Sequence, residues 1–156
     1  MNFNELMTDT DCNCIENAIE AADKLFARKI NRPKPTANDF KSKWEKLDTI
    51  DKQHFISLSD CKRICGLKGI SVNDWNKESK KSVINKFLTT FRISPKSKDS
   101  IFIFKLLPNA GLIEHTPSSN DIFHYDLYKS DEFSLNLLSE NEVIYLNDLI
   151  QDDTTN

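Results

Sequence analysis

The stretch "SIFIFKLL", residues 100–107, divides this chain into two regimes of hydrophobic spacing. Its apolar run is dominated by strand-forming residues and is followed by "PNAG", a turn. "LIEHT" (112–116) then reads as a second strand, and "DIFHYDLY" (121–128) alternates well enough to be a third. Upstream the apolar residues recur every three or four positions, which is the period of an amphipathic helix. In "DCNCIENAIEAADKLFARKI" (11–30), Ile15, Ala18, Ile19, Ala22, Leu25, Phe26 and Ile30 fall on one helical face. Prolines 33 and 35 end that helix, because each disfavours helix in the residue before it. Thr36 caps a second helix to residue 48, with Phe40, Trp44 and Leu47 inward. A third spans 57–66, with Gly66 ending it in the left-handed conformation. A fourth runs from Val72 or Lys77 to Phe91, with Val83, Ile84, Phe87, Leu88 and Phe91 inward. After the strands, Ser139 and Glu142 have the spacing of a capping box, which predicts a terminal helix.

The expected fold class is therefore α+β. About four helices over residues 10–92 precede a small antiparallel β-sheet and a C-terminal helix within 100–150. A chain of 156 residues is long enough to bury one such core, here supplied largely by ten phenylalanines. Residues 1–150 read as one domain, and 151–156 as a disordered tail.

Only three glycines are present, which all but excludes a phosphate-cradling loop, and no nucleophile elbow or H-E-x-x-H run occurs. Four cysteines are too few for a small disulfide scaffold. The first twenty residues contain no base to start a secretory leader, and no apolar run approaches membrane length. These features point to a cytoplasmic protein with reduced thiols and no membrane contact. Cys12, Cys14, Cys61 and Cys65 offer four thiolates. However, the first pair has one intervening residue and the second lies at i, i+4 in an apolar helical stripe, neither of which suits a zinc knuckle. They read as packing residues rather than as a metal site or a regulatory disulfide. No cofactor, metal or catalytic residue is expected.

Charge is distributed in blocks. Residues 1–23 carry −6, residues 24–98 carry +12 and residues 99–156 carry −9, giving a net charge of −3. Either the acidic ends fold against the basic middle, or that middle meets an anionic partner. Lys77, Lys80, Lys81, Lys86 and Arg92 are the candidate contacts. The order helix, helix, helix, strand, wing, strand over 36–116 also fits a winged helix, which makes DNA or RNA the alternative partner. His115, His124 and Tyr125 form a candidate polar cluster on two neighbouring strands, where histidines are suited to acid–base or ligand-binding work. With no catalytic constellation evident, the sequence favours a non-catalytic accessory or regulatory module of the inhibitor, antitoxin or immunity type. Such a module would act by binding a protein partner.

Overall fold

A computed structural model describes residues 1–8, 10–58, 60–90 and 98–155, with side chains to residue 150. Its centre is a six-stranded antiparallel sheet in the order β4-β5-β2-β1-β3-β6. The strands are β1 (Leu25–Ile30), β2 (Ile70–Asp74), β3 (Ser100–Leu106), β4 (Gly111–His115), β5 (His124–Lys129) and β6 (Leu138–Tyr145). The helices are short: α1 (Asn4–Met7), α2 (Thr49–Ser57), α3 (Cys61–Lys68), α4 (Lys80–Thr90) and α5 (Leu146–Thr155).

This corrects the expectation of a helical N-terminal two-thirds with a small sheet. Residues 25–30 form a central strand, paired with β3 on one side and β2 on the other. Phe26 and Ile30 face one layer and Ala27 the opposite one, and all three are buried. A strand covered on both faces loses its alternation, and its apolar positions then match a helical spacing equally well. The second expected helix is reduced to a 3-10 turn, Ala37–Phe40. Thr36 does begin it, in a reciprocal capping arrangement with Asp39. The expected fourth helix divides into β2 and α4. Gly66 lies inside α3, which ends at Lys68, and no glycine among the described residues has positive φ. Ser139 and Glu142 lie on β6, so their spacing caps nothing.

The "PNAG" turn is present, with Asn109 at φ 72°. It does not close a hairpin, however. β3 sits next to β1 and β6, whereas β4 lies at the far edge beside β5. The helix–strand–wing order of a winged helix is therefore not the arrangement of this chain.

Two layers cover the sheet. Phe26, Ile30, Ile70, Val72, Phe102, Phe104 and Leu127 line one face, closed by Phe40 from the 3-10 turn. The Phe40 ring meets those of Phe102 and Phe104 edge-on at 6.2 and 5.5 Å. On the other face, Val83 and Phe87 of α4 and Leu146 of α5 pack on Ala27, Ile101 and Ile103. "SIFIF" is one apolar run because β3 is sandwiched between these layers. A third cluster joins Cys12, Cys14, Trp44, Ile64 and Tyr128. There the cysteines form two disulfides, Cys12–Cys61 and Cys14–Cys65, which tie the N-terminal segment to α3. The thiols expected to be reduced packing residues are thus cross-linked, and no described cysteine is free. Among the described residues, no helix is long and apolar enough to cross a membrane.

Candidate anion-binding cleft

β1 and β2 are paired only at Phe26↔Asp74 and Ala27↔Asn73. Beyond Ala27 the two strands separate. Arg28, Lys29 and Ile30 continue their ladder with β3, while Ile70, Ser71 and Val72 continue theirs with β5. The Arg28 side chain enters the gap. Its Nε donates to the Asp39 carbonyl at 2.6 Å and its Nη1 to the Ser71 carbonyl at 2.6 Å, so the guanidinium bridges the 3-10 turn and β2. It also lies 5.7 Å from the centroid of the Phe40 ring. Burial pulls the Arg28 pKa below its ordinary value, and the charge of Asp39 partly opposes this. The group nonetheless stays protonated, as arginine does in proteins.

The separation opens a cleft of about 340 Å³ between the 3-10 turn, β1, β2 and the end of α4. Arg28, Lys29, Lys46 and Lys86 line it with Ser71 and Asn73, and Asp39 is the one carboxylate among its described lining residues. The cations differ in how far they are neutralised. Lys29 pairs with Asp99 at 3.6 Å. Lys86 pairs with Asp121 at 2.5 Å and donates to Asn73 Oδ1 at 2.8 Å. Arg32 stands 3.8 Å from Asp39. Arg28 and Lys46 have no carboxylate within ion-pairing distance among the described residues. Burial disfavours the charged form of Asp121. The hydrogen bonds from Lys86 and Asn73, with the charges of Lys86 and His124, outweigh it and hold this carboxyl below its ordinary value.

A chain of polar groups runs from the cleft wall across β5 to β4. Ser71 Oγ is 2.5 Å from His124 Nε2, and His124 Nδ1 lies 2.7 Å from Thr116 Oγ1 and 3.1 Å from the Thr116 carbonyl. A carbonyl only accepts, so its bond to Nδ1 fixes the hydrogen there, and in neutral His124 Nε2 accepts from the Ser71 hydroxyl. Asp126 is buried behind Thr116. Burial raises its pKa and nearby Glu114 adds to that, while the charge of His124 and a hydrogen bond from Thr116 act against it. Burial also raises the Tyr128 phenol, reinforced by Asp126 and Glu114.

The residues expected from sequence to be functional do not form one site. Lys86 reaches the cleft, but within an internal ion pair. The Lys80 ammonium lies 5.7 Å from the centroid of the Trp75 ring, Lys77 is exposed in the turn before α4, and Lys81 is exposed in its first turn. Arg92 lies outside the described residues. β4 and β5 are neighbours as expected, but His115 stands opposite Tyr125 in the ladder and stacks on it at 4.6 Å. His124 projects from the opposite face of the sheet, so the three residues split between two environments. Among the described residues, no group of His, Cys, Asp and Glu is arranged to hold a metal ion. Sequence reasoning missed Arg28, Lys46 and Ser71. The only trace of the first two was the excess of base over acid in residues 24–98. Comparison with protein-family models, curated proteins and solved structures found no match, so the geometry of the cleft carries the functional argument.

Proposed function

We propose that this protein is a non-catalytic binding module that captures an anionic group of a protein partner in the cleft between β1 and β2. The observation that carries this reading is Arg28. A partly buried guanidinium, satisfied on the protein side by two backbone carbonyls and an aromatic face, has no carboxylate within ion-pairing distance among the described residues, and Asp39 offsets its charge only from farther away. Its remaining N–H groups stay accessible from the cleft, where an incoming anion can accept from them. The cleft also falls within the size range of ligand sites, about 300–1,000 Å³. The two disulfides favour an oxidising location over the reducing cytoplasm that the sparse cysteines suggested.

The test compares wild type with the double variant Arg28→Met, Lys46→Met. Sulfate and citrate should raise the melting temperature of wild type and leave the variant unmoved, because a ligand that binds only the folded state stabilises it. Proteins captured from native extract should be retained by wild type and lost by the variant. No stabilisation by any anion, together with identical capture by both proteins, refutes the proposal. Generic duplex DNA serves as a control. Tight, salt-sensitive binding of duplex would move the partner from protein to nucleic acid.

One contact favours a second, hydrolytic reading. Ser71 Oγ and His124 Nε2 are in direct hydrogen-bond contact, the pairing a nucleophile and its base require. Labelling of Ser71 by a fluorophosphonate probe, abolished by His124→Ala, would place that reading first.

A further inference from the structure

We infer that the group held in the cleft is a phosphoryl dianion, the terminal phosphate of a monoester, rather than a carboxylate or a phosphodiester. This rests on the reading of the cleft as the binding site. It follows from what remains after the internal pairs are formed. Lys29 is matched by Asp99, Lys86 by Asp121, and Asp39 by Arg32. The five cations Arg28, Lys29, Arg32, Lys46 and Lys86 thus face three carboxylates, Asp39, Asp99 and Asp121, so the net positive charge available to a ligand is two, and Arg28 and Lys46, which both line the cleft, form none of these ion pairs. A carboxylate or a single diester phosphate brings one negative charge, whereas a phosphate monoester brings nearly two near neutral pH.

The hydrogen-bond inventory agrees. A guanidinium carries five N–H donors in a rigid fork, and Arg28 uses two on the Asp39 and Ser71 carbonyls. The remaining three have no acceptor among the described residues, and Lys46, exposed on the cleft lining, adds an ammonium. Donors from two separate residues suit a group with three terminal oxygens better than a carboxylate, whose two oxygens one guanidinium fork already satisfies.

The experiment titrates the 156-residue chain with phenyl phosphate, phenyl sulfate and benzoate at pH 7.5 by calorimetry. The first two share shape and differ in charge, and the third is planar. Phenyl phosphate should bind about tenfold or more tightly than either of the others, the scale of one additional charge-assisted contact. Lys46→Met should remove that preference. Lys46 is exposed, so this variant remains informative if Arg28→Met fails to fold, which circular dichroism would show. Two further arms separate the possible sources of the group. Inorganic phosphate represents a small free ligand, and a phosphoserine peptide paired with its glutamate counterpart represents a phosphorylated side chain. Equal affinity for the three aromatic anions, with binding still lost in the Arg28 variant, overturns the phosphoryl assignment and leaves the binding module intact. Absence of any binding that depends on Arg28 or Lys46 overturns both.

Discussion

The two disulfides connect the same two segments, so their contributions to stability should be strongly coupled. Cys12–Cys61 and Cys14–Cys65 span sequence separations of 49 and 51 residues. In the chain-entropy description, closing a loop of that length alone stabilises the fold by about 4 kcal/mol. The second bridge closes far less. Once either is formed, the other completes a ring through residues 12–14 and 61–65, and the same relation then gives only about 2 kcal/mol. Changing Cys14 and Cys65 to alanine should therefore cost about 2 kcal/mol, and so should changing Cys12 and Cys61. Removing both bridges should cost about 6 kcal/mol, well above the sum of the two separate losses. For a chain of this size each kcal/mol corresponds to roughly 2–4 °C in melting temperature. Urea denaturation of the three variants beside wild type measures the coupling. Non-reducing mass spectrometry after alkylation confirms which thiols are bonded. Losses that simply add would refute the shared-loop reasoning. Alkylation of all four cysteines without prior reduction would show that the bridges do not form.

Phe40→Ala should destabilise the protein by about 3–5 kcal/mol, because it empties the side chain that closes one face of the sheet over Phe102 and Phe104. Chemical denaturation checks this, and a loss below about 1 kcal/mol would mean that the 3-10 turn is not part of the core. The carboxylates predict opposite responses to pH. Asp121 and Glu45 have lowered folded pKa values, so their stabilisation is full above the ordinary carboxylate range, about 4, and is lost as pH falls through and below it. Asp126 is raised, so its contribution is most favourable below that range and declines as pH rises through its folded value. Asp121→Asn should therefore flatten the acid limb of the stability profile, whereas Asp126→Asn should stabilise the protein at neutral pH. Unfolding midpoints between pH 3 and 8 decide this, and identical profiles for the two variants would contradict both assignments.

Local chemistry fixed several elements from the sequence alone. "SIFIF" is too rich in β-branched and aromatic residues and too short for a helix, and it is β3. The spacing of Val83 and Phe87 marks α4, "PNAG" is a turn, and Thr36 begins an element, though a 3-10 turn rather than the expected helix. Each depends on neighbours a few residues away. The rest depended on partners far along the chain. Residues 25–30 fit a helix or a doubly covered strand equally well, and only their ladder with β3, some seventy residues later, selects the strand. Ser139 to Glu142 likewise became strand because β3 offered an unpaired edge. Four cysteines permit three pairings, and spacing alone does not choose among them. Folding brought the 12–14 segment against α3 and selected one. The cleft is the extreme case. Arg28, Lys46 and Ser71 form no motif, and what places them together is the separation of β1 from β2 after Ala27, set by each strand following a different partner. Residue type determined that this region would be basic. The absence of strand pairing, a purely tertiary outcome, left one of its charges partly buried and outside any ion pair among the described residues.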